Sequence, residues 1–141
     1  MFEEIGRYIV IKLFLKNQLT TDSGISFGIG HGGIEAILLV GINYIYLLIT
    51  SAYEFAPVMI FLGGLERIFA LTFHIGMSVM IMKSIRDKRL IWLILAIILH
   101  TLLDVCAVLI GNVYMVELIV LTFAVFSILF IRKEKKNEKS D

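Results

Sequence analysis

The sequence predicts an all-α polytopic membrane protein, a bundle of about five transmembrane helices. Of its 141 residues 59% are hydrophobic, and mean hydropathy is +0.92. That is more apolar surface than a soluble fold of this size can hide. The apolar residues fall into five segments, each near the ~20 residues needed to cross hydrocarbon. Lys and Arg collect in alternate connections between those segments. In lipid the backbone must satisfy its own polar groups, so continuous segments of this length are helices.

The first segment, 2–19, carries Glu3, Glu4 and Arg7 at its start and Lys12 and Lys16 towards its end. The second, 24–50, opens on Gly24, Gly28, Gly32 and Ala36, a small-residue ridge that lets another helix approach closely. The third, 55–82, has Pro57 in its first turn, where the missing N–H costs nothing. The fourth and fifth, 90–110 and 114–131, follow after short links, which implies antiparallel neighbours. Lys83, Arg86, Lys88 and Arg89 fill the third link, whereas the links at 51–54 and 111–113 contain neither Lys nor Arg. Positive links face the cytoplasm, so the protein is expected to be integral to the cell membrane with its C-terminus inside. Residues 1–131 then form the membrane core. Residues 132–141 form a charged cytoplasmic tail, expected to be disordered. Met1 falls on the outer side and the first span is short, so further helices are expected to precede this region.

Several function classes are excluded. No basic stretch is interleaved with polar and aromatic residues, so a nucleic-acid partner is not expected. The single cysteine, Cys106, allows neither an intramolecular disulfide nor a CxxC motif. The acidic start is unlike a cleavable signal.

The chemistry lies in ionisable residues placed inside the spans. His31 and Glu35, Glu3 and Arg7, and His100 and Asp104 are each four apart, so each pair shares a helix face. Arg67, His74 and Ser78 fall on one stripe, with Glu66 beside Arg67. Counting the helical rise from inner ends at Lys16, Gly24, Lys83 and Leu90 places His31 at roughly 10 Å, Arg7 and His74 at about 13 Å, and His100 at about 15 Å. The same count gives about 16 Å for Glu35, about 18 Å for Glu4, about 20 Å for Glu3, about 21 Å for Asp104 and about 24 Å for Arg67. Four helices thus bring ionisable groups to the middle of the layer. Each would cost ~2.5–3.5 kcal/mol at mid-helix, so pairing is expected, for instance Arg7 with Glu3 and Arg67 with Glu35 or Glu66. A lone histidine in a helix is as readily a packing residue as a ligand; three at one depth point to a site. Glu117, near the outer end of the fifth span, reads as a solvated boundary residue, and Cys106 as a small apolar one.

Four motifs carry a resemblance. Phe2-Glu-Glu-Ile-Gly-Arg-Tyr8, Phe27-Gly-Ile-Gly-His-Gly-Gly-Ile-Glu35, Leu65-Glu-Arg-Ile-Phe-Ala-Leu-Thr-Phe-His74 and His100-Thr-Leu-Leu-Asp104 occur in order on separate segments. Together they resemble the YhfC family of intramembrane metalloproteases, which is similar to the CPBP (CAAX-protease and bacteriocin-processing) and PrsW membrane proteases. The resemblance implies an endopeptidase acting on membrane-embedded or prenylated polypeptides. By motif, Glu3 and Glu4 would hold the catalytic carboxylate, and His31 would help activate water. His100 and Asp104 would stabilise the oxyanion or bind metal. Arg7, Glu35, Glu66, Arg67 and His74 would support them. Arg7 stands four residues after Glu3 where the CPBP pattern has five, which leaves open which glutamate is catalytic.

A carboxylate in low dielectric gains proton affinity and suits general-base chemistry. His31, His74 and His100 would equally satisfy a zinc site with one open position. The paired acids and their excess over histidines favour a metal-free mechanism, with zinc as the alternative cofactor. Two other classes use the same residues: an inactive immunity or scaffold membrane protein with structurally paired charges, and a small proton-coupled carrier. A haem held by His74 and His100 is a weaker reading. Besides the lipid bilayer and a membrane substrate, an oligomeric partner remains open.

Overall fold

The computed structural model describes residues 2–50 and 57–140, so the link at 51–54 lies outside the described residues. Six α-helices account for them: α1 (Phe2–Phe14), α2 (Thr21–Ala36), α3 (Ile42–Ile49), α4 (Pro57–Arg86), α5 (Ile91–Leu109) and α6 (Val113–Glu138). A five-residue π-helical turn, Ile37–Gly41, joins α2 to α3 without a break. Four stretches are long and apolar enough to cross a membrane: Thr21–Ile49, α4, α5 and α6. Helix α1, with 13 residues, is a shorter fifth member.

Helix α1 stops earlier than the apolar pattern predicts. Thr20 takes extended backbone (φ −103°, ψ 159°) and its hydroxyl accepts from the Ser23 N–H, which fixes the start of α2. Leu15 to Leu19 therefore become a turn, with Gln18 N–H donating to the Leu15 carbonyl. Pro57 opens α4 in the position its ring favours. Lys88, in the left-handed region at φ 55°, turns the chain from α4 into α5. Asn112 caps α6 by accepting from the Tyr114 and Met115 N–H groups.

Helix α4 is the axis of the bundle. Its second half, Phe73 to Ser84, is almost entirely buried, with Phe73, Met77, Met80 and Ile81 in the core. The buried face of α2 is Thr21, Gly24, Gly28 and Gly32, which is the small-residue ridge. A Cβ on Gly24 would lie 3.1 Å from the Val79 Cα, and one on Gly28 would collide with the Ile75 backbone. The ridge thus sets α2 against α4 backbone to backbone. Gly76 does the same for α4 and Ser127 of α6. Helix α1 buries Glu4, Arg7 and Ile11, one stripe at helical spacing. Ile42, Ile45, Ile98, Leu102 and Leu129 point outwards, as lipid-facing side chains do.

The tail differs from expectation. Residues 132–138 continue α6 as helix. Glu134 and Glu138, one turn apart, face basic groups on the end of α4, so the tail has tertiary partners that a disordered segment lacks. Glu138 also accepts from the Thr21 N–H at 3.0 Å. The start of α2, the end of α4 and the end of α6 therefore meet at one end of the bundle. Glu117 also departs from expectation: it is half-buried, and its Oε2 is shielded without a hydrogen-bond partner among the described residues.

Candidate active site

At the level of Phe73 and His74 the bundle holds a polar cluster built by four helices. Helix α1 supplies Glu3, Glu4 and Arg7, α2 supplies His31 and Glu35, α4 supplies His74, and α5 supplies His100. Gly32 makes the cluster compact, since a Cβ there would sit 3.0 Å from that of His74. The imidazole centroids of His31 and His74 are 5.7 Å apart, and those of His74 and His100 are 5.2 Å apart.

Arg7 organises the acids. Its side chain is fully buried, donating to Glu3 Oε1 at 2.6 Å and to the His74 carbonyl at 3.2 Å, with Glu4 Oε1 at 3.5 Å. The two glutamates then differ. Glu4 is fully buried, with Oε1 2.6 Å from His100 Nδ1. The Glu3 side chain is 33% exposed and stands among all three histidines. His31 Nε2 lies 2.6 Å and His74 Nδ1 3.4 Å from Glu3 Oε1, while His100 Nε2 lies 3.6 Å from Oε2. Glu35 Oε2 is 2.9 Å from His74 Nε2. Glu3, His31 and Glu35 form the polar side of an open cleft of about 440 Å³, and Ile34, Leu38 and Leu39 its apolar side.

Three expected members stand apart. Asp104 reaches His100 Nε2 only at 3.7 Å and is 62% exposed. Arg67 pairs with Glu66, the second of its two expected partners, and neither hydrogen-bonds to the cluster. Sequence reasoning passed over the apolar wall of the cleft and the π-helical turn beside it. Leu38 and Leu39 read as ordinary span residues, and no local signal marks the fifth residue in that turn.

Two overlapping groups of ligand atoms have the spacing of a metal site: Glu3, His31, Glu35 and His74, and Glu3, Glu4 and His100, with the atoms of each group within 4.8 Å of one another. The donors fit a divalent cation such as zinc, which takes imidazole and carboxylate. Glu4 Oε2, buried with no hydrogen-bond partner among the described residues, is a further free lone-pair donor. Of the three carboxylates, Glu3 and Glu4 pair with the permanent cation Arg7, whereas Glu35 meets His74.

Fold and site define a polytopic helical membrane protein with a histidine–carboxylate centre inside its bundle. The chain belongs to the YhfC intramembrane metalloprotease family, whose sequence model matches residues 1–53 and 46–127. It is 32% identical over 173 aligned positions to the uncharacterized membrane protein YhfC of Bacillus subtilis (strain 168). That alignment takes in 96% of this chain and 65% of the relative, so the chain spans about two thirds of that protein's length. No solved structure matches it.

Proposed function

We propose that this chain carries the catalytic centre of a metal-dependent endopeptidase that hydrolyses membrane-embedded polypeptides. The observation that carries the reading is Glu3: a partly exposed carboxylate at the cleft floor, touched by Arg7 and flanked by three histidines. Glu3, rather than Glu4, is the catalytic carboxylate, because Glu4 is sealed from the cleft and engaged by His100.

Glu3 accepts a proton from the attacking water, most readily at Oε2, its less engaged oxygen, and returns it to the departing amide nitrogen. Arg7 holds the Glu3 carboxylate in place through Oε1. His100, oriented by Glu4, turns its Nε2 towards the same reacting region, with Asp104 at its outer edge. Apolar Ile34, Leu38 and Leu39 hold the substrate's side chains and reduce the water around the reacting bond. A metal would be held by donors drawn from the group Glu3, His31, Glu35 and His74, with His31 and the carboxylates open to the cleft. A divalent cation there supplies Lewis acidity, polarising the carbonyl and making water acidic enough to attack at neutral pH. This reading replaces the metal-free preference drawn from residue counts, because three carboxylates converge with the histidines while Arg7 pairs with only Glu3 and Glu4. The face formed by the start of α2 and the ends of α4 and α6 is assigned to the cytoplasm from its basic residues.

The test is proteolysis of a membrane fraction by reconstituted protein. Glu3→Gln keeps the shape and removes the proton acceptor, so cleavage should fall by roughly 10²–10⁴ with helicity unchanged. Chelation should abolish the wild-type activity and zinc restore it. Full activity in Glu3→Gln, or indifference to the chelator, would overturn the assignment.

A further inference from the structure

The three imidazoles sit in one cluster, yet their hydrogen-bond partners set them unequal tasks. An arginine guanidinium can only donate, and an ionised carboxylate can only accept. These two facts decide where a neutral imidazole carries its proton.

His74 has both nitrogens engaged. Arg7 presents an N–H to Nδ1 at 3.1 Å, and Glu35 Oε2 lies 2.9 Å from Nε2. A proton on Nδ1 would face the guanidinium. Its other acceptor in range, Glu3 Oε1, is 3.4 Å away and already receives Arg7 and His31 at 2.6 Å each. His100 is the mirror case. Its Nδ1 lies 2.6 Å from the buried Glu4 carboxylate, so the proton belongs on Nδ1, whereas the carboxylates nearest Nε2, Glu3 at 3.6 Å and Asp104 at 3.7 Å, are beyond hydrogen-bond distance. His31 is free to choose. Its Nε2 meets Glu3 at 2.6 Å, and its Nδ1 has no hydrogen-bond partner among the described residues. The proton can move to Nδ1 and release Nε2.

We infer that Arg7 is a positioning residue that fixes His74 as the Nε2–H tautomer, an oriented donor to Glu35, and thereby removes His74 from the set able to bind metal. The imidazole ligand of the cleft is then His31, and His74 acts one shell out by holding the Glu35 carboxylate. Binding metal through His74 Nε2 would require either loss of the Arg7 contact, so that the proton can move to Nδ1, or removal of the single ring proton to leave an imidazolate. The metal consequence rests on the proposed hydrolase reading. The proton pattern does not.

The chain contains three histidines, so nitrogen-15 spectra of histidine-labelled, metal-free protein in nanodiscs hold three imidazoles, assignable by His→Gln substitution one at a time. The expected result is opposite tautomers at the two buried rings: protonated Nε2 at His74 and protonated Nδ1 at His100. Arg7→Lys, which keeps a cationic donor, should preserve the His74 signal. Arg7→Met should move the proton to Nδ1, facing Glu3. A proton on His74 Nδ1 in wild-type protein overturns the inference without any variant being needed, as does a His74 pattern indifferent to Arg7→Met in folded protein. The second measurement is cobalt(II) binding by titration. His74→Gln keeps an N–H donor for Glu35 and should retain wild-type affinity within about threefold, whereas His31→Gln should lose tenfold or more, the scale of losing a metal ligand or its close support. Equal losses in the two variants would return His74 to the metal set and overturn that assignment. Absence of cobalt binding in wild type would instead sink the metalloprotease reading, while the nitrogen spectra still decide the tautomer.

Discussion

The bundle contains two charged clusters, and they are built on opposite principles. At the end where α2 begins and α4 and α6 finish, each acid, Asp22, Asp87, Glu134 and Glu138, has a partner of opposite sign. Glu134, 3% exposed, receives Lys83 at 2.8 Å and Arg86 at 2.9 Å. Asp87 takes Lys83 at 3.1 Å, and Glu138 holds both Arg86 and the Thr21 N–H at the start of α2. In the inner cluster Glu3 and Glu4 share Arg7, Glu35 has only a histidine, and Glu4 Oε2 has no hydrogen-bond partner among the described residues. Buried charges left short of partners cost stability and are retained where they act. The end cluster is a clasp; the inner one keeps an unpartnered carboxylate oxygen and opens on a cleft.

The largest expected effect separates the two by activity. His31→Ala and His100→Ala should each lower proteolysis at least ~10²-fold. His31→Ala should leave thermal unfolding in detergent nearly unchanged, because that side chain is 31% exposed, whereas His100→Ala also takes a hydrogen bond from the buried Glu4 and should lower the midpoint somewhat. A loss of folding that matched the loss of activity would make the inner cluster structural like the clasp. Gly28→Ala tests how the two helices create the site. The new methyl would press on the Ile75 backbone, push α2 away from α4 and pull His31 and Glu35 from His74. Overpacking of this kind costs roughly 1–3 kcal/mol. Cleavage should fall about tenfold or more, because misplacing reacting groups is severe in rate. Wild-type turnover in a stably folded Gly28→Ala protein would show that the spacing is slack.

The sequence revealed the inner cluster better than the clasp, for a physical reason. Ionisable residues stand out against a span of Leu and Ile, and a spacing of four pairs Glu3 with Arg7 and His31 with Glu35 on their helices. Depth arithmetic then brings His31, His74 and His100 together without knowledge of packing. In the tail, Glu134 and Glu138 lie among lysines, where charge alone reads as solvated chain. Their fourfold spacing was the available signal, but the partners, Lys83 and Arg86, are some 50 residues away. Arg67 shows the same limit from the other side. Its stripe with His74 is real, yet its neighbour Glu66 claims it. Which glutamate faces the cleft was likewise invisible, since adjacent residues on a helix point about 100° apart and only the packing of α1 says which one is sealed.

Glu134→Gln weakens the clasp and leaves the site untouched. Lys83 and Arg86 keep Asp87 and Glu138, so the loss should be roughly 1–3 kcal/mol, the range for a hydrogen bond to a charged group. It should appear as a lower unfolding midpoint with the specific activity of the folded fraction unchanged. A fall in that specific activity at constant stability would mean that the clasp also sets the geometry of α2 around His31, and the contrast between the clusters would soften.

The smallest effect concerns Asp87 and carries a sign. Burial raises its carboxyl value, but hydrogen bonds from Lys83 and Arg86 outweigh that and hold it below the ordinary 3.8. A carboxyl with a lowered folded value contributes stability that is complete above its unfolded value and disappears as pH falls through the folded one. Between pH 7 and about 5 the wild-type unfolding midpoint should therefore owe nothing to titration of Asp87, and below about 4 part of its decline should come from this residue. Asp87→Asn removes that part: its midpoint should start slightly lower at neutral pH and fall less steeply in acid. The difference should also shrink in high salt, because Asp87 is 29% exposed and its pairs are open to screening. Parallel acid curves for wild type and Asp87→Asn would show that Asp87 contributes no charge-dependent stability, leaving Glu134, Glu138 and Asp22 as the acids of the clasp.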